Sequence, residues 1–368
     1  MRLLSLDLFA YRNLDAVSIE FESPLQMFVG ANAQGKTNLV EAIYALAAAR
    51  SFRRNAQTKD MVQHGAAEAA VRGRVLREGL ETRLEVRFGA ARSLTVDGNE
   101  QRLLRDYVKH LAAVAFHPDD LSIVRGGPDL RRDFMDRGAF TLYPDYLDDF
   151  MRYQRALAER NQLFKGSAGR DEIEAWTEEL ALTGAKLARA RHNYARAFLP
   201  EAVAAFGEIF GGVPLDLRYT PSPAILAAKP ESDWAAVLGD ELRSREPDDR
   251  QRGFTTIGPH RDDVEITLGG REARVYASQG QTRALALAFR VAQIRHAATV
   301  LGSAPIFILD DVGSELDETR RGFLAAFLTA TQVQAFVTAT DRALLPTRGN
   351  EAQIWRLAAG QVALDPHP

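Results

Sequence analysis

At the start of the chain Leu4, Leu6 and Leu8 alternate with Ser5, Asp7 and Phe9, the period of a strand with one buried face. A turn at Tyr11-Arg12-Asn13-Leu14 leads to a second strand over residues 16–21, and the apolar run of residues 25–29 stops at Gly30. Residues 38–49, rich in Ala and Leu, predict a helix, so a glycine-bearing loop lies between a strand and a helix. Strand-like pieces return at 70–76, 82–88 and 93–96, with Asp97-Gly98 as the hairpin signal. Residues 119–210 then change character: Ala, Leu, Arg and acids dominate, β-branched residues are few, and several helices are expected. Strand patterns resume at 215–219 and 264–268, followed by a helix from Gln281, a buried strand at 306–309, a helix from Glu318 and a strand at 335–338. The order predicts one α/β domain made of residues 1–118 and 211–368, split by a helical lobe at 119–210.

With 368 residues, 46% of them hydrophobic, the chain can bury a full core and exceeds most single compact domains. A net charge of −3 means that any nucleic-acid contact has to come from a local basic surface. The absence of cysteine excludes disulfides, thiolate zinc sites and a cysteine nucleophile, and fits a reducing cytosol. Asp7 interrupts the first apolar stretch, and no run is long and apolar enough to span a bilayer, so a cytoplasmic protein without a membrane partner is expected.

Gly30-Ala31-Asn32-Ala33-Gln34-Gly35-Lys36-Thr37 fits the phosphate-loop pattern, with the strand before it and the helix after it that the pattern requires. Glycines let backbone N–H groups converge on phosphate oxygens, and the positive end of the helix dipole points at the same anion. Lys36 is then expected to reach the β- and γ-phosphates of ATP, and the Thr37 hydroxyl to ligate Mg²⁺. The strand at 306–309 ends in Asp310-Asp311. Alone, an apolar strand ending in an acid is more often a cap or a turn. Paired with Lys36, Asp310 is the candidate Mg²⁺ carboxylate and Asp311 the candidate catalytic group that orients or deprotonates water. Arg12 reads either as a phosphate contact or as a surface arginine in a turn. His117 with Asp119 and Asp120, and His260 with Asp262 and Asp263, lack the spacing of a closed zinc site. Lys186, Arg189, His192 and Arg196 share one helical face, which reads either as a phosphate-contacting stripe or as a solvated one, with the solvated reading preferred.

Ala277-Ser278-Gln279-Gly280-Gln281-Thr282-Arg283 precedes a helix and an aspartate-ended strand, an arrangement that resembles the ABC-type ATPases. The resemblance implies that Ser278, Gly280 and Gln281 bind the γ-phosphate of ATP held by an opposite subunit, and that Ser314-Glu315-Leu316-Asp317 packs across that interface. Two departures imply slow hydrolysis: Asp311 stands where such ATPases usually have Glu, and the strand at 335–338 leads into Ala339-Thr340-Asp341 without the usual histidine. Phe9-Ala10-Tyr11-Arg12-Asn13-Leu14, Ser51-Phe52-Arg53-Arg54, Phe116-His117-Pro118-Asp119-Asp120-Leu121, Gly126-Gly127-Pro128 and Gly258-Pro259-His260-Arg261-Asp262-Asp263 narrow the likeness. Together they resemble the RecF family of bacterial recombination mediators over nearly the whole chain. That resemblance implies an ABC-type ATPase head with a P-loop and a helical insertion lobe. It also implies an ATP-dependent homodimer that closes on gapped or junction DNA, and weak DNA-stimulated ATP hydrolysis that releases it. RecR and RecO are the implied partners in RecA loading, and Arg53 and Arg54 the implied DNA-binding candidates. The competing reading, an ABC transporter subunit, leaves the helical insertion and the missing histidine unaccounted for.

Overall fold

The computed structural model describes residues 1–166, 169–222, 225, 233–311, 316–342 and 352–365. Compactness divides the chain into two units, one formed by Met1–Leu121, Glu208–Phe210 and Gln279–Pro368, the other by Ser122–Gly207 and Gly211–Ser278.

The first unit holds two six-stranded sheets. One is antiparallel, in the order Leu14–Glu20, Arg2–Tyr11, Ala69–Arg77, Leu80–Phe88, Ser93–Val96, Asn99–Glu100. The other runs Gln361–Leu364, Ala352–Ala358, Leu25–Val29, Ala335–Ala339, Ile306–Leu309, Ala113–Phe116, parallel throughout except for its first edge strand. The helix Lys36–Ala48 packs against strands of both sheets and is buried almost all round, which is why its sequence shows no polar stripe. Leu39, Ile43 and Leu46 are wholly buried in the shared core, each contributing about 1.5–3 kcal/mol. Alternation in the first strand is interrupted by a register shift between Leu3 and Ser5, so Leu3 rather than Leu4 joins Leu6 and Leu8 in the core.

The second unit contains the helices Pro128–Leu142, Pro144–Leu163, Trp234–Ser244 and Glu246–Arg252, most of the long helix Arg170–Ile209, and a three-stranded antiparallel sheet of Arg271–Glu272, Asp263–Leu268 and Leu215–Thr220. Residues 211–278, expected with the ATPase domain, thus group with the helices. Ion pairs, most of them buried, tie these segments to the helices. Arg131 holds Asp263 through two bonds of 2.7 and 2.8 Å, while Arg191 grips Asp136 at 2.7 and 2.8 Å and reaches Asp262 at 3.2 Å. Arg160 and Asp249, both fully buried, pair at 2.8 Å, and Thr177, Thr255 and the Leu242 carbonyl accept the guanidinium's other bonds. Such a pair is tolerable only because its remaining donors are satisfied.

His260 sits in the same unit as a neutral imidazole. Its Nδ1 accepts from the Tyr153 hydroxyl at 2.6 Å and its Nε2 donates to the Thr255 carbonyl at 3.0 Å. Burial pushes its pKa down to about 4, and the charges of Arg261, Arg132 and Arg191 act in the same direction. Of the basic stripe, Lys186, Arg189 and Arg196 are exposed, as a solvated face requires, while His192 is half-buried and packs edge-on against Trp234, whose ring Arg189 also covers at 4.4 Å.

Candidate functional site

In an open parallel sheet, ligands gather at the carboxyl ends of the strands. Here Leu25–Val29 runs into Gly30, Ile306–Leu309 into Asp310, and Ala113–Phe116 into His117, while Thr338 lies near the end of Ala335–Ala339. Parallel pairing sets Phe116 beside Leu309, and the Asp310 N–H donates to the Phe116 carbonyl at 2.8 Å. The sequence patterning missed the strand Ala113–Phe116. Its alternation is hidden because both faces are covered, and the signal was the short apolar run ahead of His117.

The loop 30–37 folds into a cradle. Lys36 Nζ donates to the carbonyls of Gly30 at 2.6 Å and Ala31 at 2.8 Å. Burial lowers the Lys36 pKa, against the opposing charges of Asp311 and Asp310. Gly35 has φ of 99°, and a Cβ on Gly30 would lie 2.4 Å from the Leu357 carbonyl oxygen, so both glycines are required by the backbone path. The helix that follows has no side-chain cap and no acid in its first turn. Its first N–H groups are left to an anion, and the set fits the phosphates of ATP.

Thr37 Oγ1 donates to Asp310 Oδ1 at 2.9 Å, and Thr338 Oγ1 donates to the same oxygen at 2.7 Å. Burial raises the Asp310 pKa, while the two threonine bonds and His117 oppose that rise. A buried carboxylate beside a threonine hydroxyl offers hard oxygen donors and suits Mg²⁺. Asp311 follows with φ of 53°, a left-handed conformation that Asp tolerates better than most residues, and its N–H donates to Thr338 Oγ1 at 2.8 Å. Thr338 therefore fixes both aspartates, a role not read in the sequence. His117 stacks on Phe52, with ring centroids 5.0 Å apart, and its Nε2 lies 3.3 Å from Asp120, which Arg290 holds at 2.5 and 2.9 Å.

Lys36, Thr37, Asp310 and Asp311 are thus brought to one sheet end. Asn32 is exposed on the loop, and the half-buried Gln34 accepts from the Ala359 N–H at 2.5 Å. Ala33 has φ of 65°. Ser278 stands immediately before the helix Gln279–Leu301, with Gly280 and Gln281 in its first turn. Ser314 and Glu315 lie outside the described residues; Leu316 is buried, and Asp317 caps the helix Glu318–Thr331 through the Arg320 N–H. Asp317 thus caps a helix here, whatever else it meets.

Two arginines are tied to the phosphate-loop helix. Arg12, half-buried, forks onto Glu41, fully buried in that helix, at 2.6 and 2.7 Å. Ser51 also donates to Glu41, and Arg53 lies 3.7 Å from it while donating to Asn38 at 2.6 Å. Arg53 is therefore tied to the phosphate-loop helix, whereas Arg54 is exposed. Glu41 was legible as an unexplained acid inside an apolar helix, and a buried acid demands partners.

Comparison with known proteins places this geometry in a family. Residues 2–355 match the family model described as the RecF/RecN/SMC N terminal domain. The DNA replication and repair protein RecF of Myxococcus xanthus is 40% identical over 371 residues, covering 99% of this chain and 97% of that protein. The Geobacter sulfurreducens RecF is 35% identical, covering 98% of this chain and 99% of its own. Among solved structures, the recombination mediator protein RecF–ATP in the RecFOR pathway superposes with a TM-score of 0.90 at 29% identity, covering 99% of this chain and 97% of that one. The Smc head domain of Pyrococcus furiosus, at TM-score 0.56 and 15% identity, shares the fold. The chain belongs to the RecF family of DNA replication and repair proteins and has the ABC-type ATPase head fold.

Proposed function

We propose that this protein uses ATP as a conformational switch that pairs two copies into a DNA-binding clamp, with slow hydrolysis resetting it. The observation that carries the reading is the junction of Lys36, Thr37 and Asp310 at one sheet end, in a chain that matches RecF proteins along its length. Lys36 and the loop N–H groups hold the phosphates, and Thr37 and Asp310 hold Mg²⁺, which offsets phosphate charge when bound. Asp311 accepts a proton from, or orients, the attacking water. Its shorter side chain, compared with Glu, accounts for slow turnover.

Ser278, Gly280 and Gln281 meet the nucleotide of the opposite copy, so each closed pair buries two nucleotides and ATP favours pairing by mass action. The paired state gathers arginines onto one DNA surface, with Arg54 a clearer candidate than Arg53. The solved relative described within the RecFOR pathway supports RecR and RecO as partners; gapped DNA as the target and RecA loading as the outcome belong to the proposal. The residue division of labour is likewise proposed: residues 1–118 with much of the C-terminal part for ATP, and the helical lobe as an inserted element. Sedimentation of the chain and of Ser278→Arg, each with and without ATP, tests the reading. The unsubstituted chain should double its mass with ATP, and Ser278→Arg should bind ATP yet remain single. A variant that still pairs contradicts the role given to Ser278.

A further inference from the structure

The short helix Ala273–Tyr276 ends two residues before Ser278 and leaves two large apolar side chains in solvent: Val275 and Tyr276 are each 63% exposed. Ala273 on its other side is fully buried, and the Ala277 N–H closes the turn onto the Ala273 carbonyl at 3.0 Å. Arg125 Nη2 donates to the Ala277 carbonyl at 3.2 Å, so the backbone between Tyr276 and Ser278 is also tied from a second helix. The Arg271 guanidinium lies 5.6 Å from the centre of the Tyr276 ring. Single exposed apolar residues need no explanation. An adjacent apolar pair with a cation against its ring, on a fixed backbone, has the composition of an interface anchor.

We infer that Val275 and Tyr276 form the apolar contact by which one copy of this chain seats on a second copy in the ATP-bound pair. The inference rests on the assignment of Ser278 to the opposite copy's nucleotide. Two residues of chain span at most ~7 Å. A partner whose γ-phosphate meets Ser278 therefore comes within reach of Tyr276. A net charge of −3 spread over 368 residues sets up little repulsion between copies.

Because the chain has no cysteine, Tyr276→Cys introduces a single thiol whose rate of maleimide modification reports its exposure. Pairing, followed by sedimentation in the same samples, should slow that modification about tenfold or more once ATP drives most chains together. Adding Ser278→Arg to the same variant should abolish the protection while ATP binding persists. If Tyr276→Cys itself stops pairing but still binds ATP, the contact is supported, and Val275→Cys then carries the protection measurement. A thiol that stays fully reactive in chains shown to be paired overturns the inference and leaves the clamp reading standing. Protection that survives in the Ser278→Arg background also overturns it, since the shielding then arises within one chain. Absence of ATP-driven pairing in the unsubstituted chain overturns the clamp reading and this one with it.

Discussion

Lys36 and Asp311 sit at the same sheet end, and the proposed function gives them separable duties. Lys36→Met removes the loop's own cation, so ATP binding should fall below detection in equilibrium dialysis. Asp311→Asn keeps the oxygen that can accept a hydrogen bond but loses the base, and should bind ATP normally while turnover drops by about a hundredfold. Equal loss of affinity in both variants would show that Asp311 holds the nucleotide instead. His260 supplies a pH signature away from this site. Its folded pKa of about 4 lies below the ordinary 6.5, so the unfolded chain binds more protons between those values. The stability contributed by neutral His260 is complete above pH 6.5 and is lost as pH falls towards 4. Acidifying from about pH 7 to about pH 5 should cost about 2 kcal/mol through this residue. Urea midpoints at both values, for the unsubstituted chain and for His260→Gln, check it: the variant should lose less on acidification, and an identical loss would exclude His260 as the source.

The elements that carry the site were legible where local chemistry dictates them. The strand–loop–helix around Lys36 follows from an apolar run, paired glycines and an Ala-rich helix, and the strand before Asp310 from a short run bounded by charge. What stayed hidden depends on contacts distant in sequence. Thr338 reads as ordinary strand end until two aspartates converge on it, and the C-terminal hairpin Ala352–Ala358 with Gln361–Leu364 joins the parallel sheet although its pattern is brief. Arg12 could not be assigned from its turn because its partner lies in another element. Glu41 joins three segments: the first hairpin turn through Arg12, the segment after the helix through Ser51 and Arg53, and the phosphate-loop helix itself. Removing one side of a buried pair strands the other charge, so Glu41→Ala should destabilise the chain by about 3–5 kcal/mol. A denaturation midpoint unchanged from the parent would mean that Arg12 and Ser51 find other partners at little cost.

At the scale of the whole molecule, the proposed clamp assigns DNA binding to the pair rather than to the single chain. With a net charge of −3, one chain presents no general attraction for a polyanion, and pairing doubles whatever arginine surface faces the DNA. Each duplex phosphate neutralised should contribute roughly −0.9 to the slope of log affinity against log salt. Arg54→Ala should flatten that slope while ATP-driven pairing survives; an unchanged slope would remove Arg54 from the DNA surface. The most direct measurement is the affinity for a gapped duplex of the unsubstituted chain and of Ser278→Arg, titrated over salt with and without ATP. ATP should tighten binding and steepen the salt dependence only in the unsubstituted chain. Equally tight binding by the unpaired Ser278→Arg chain would place the DNA site within one copy and contradict the clamp.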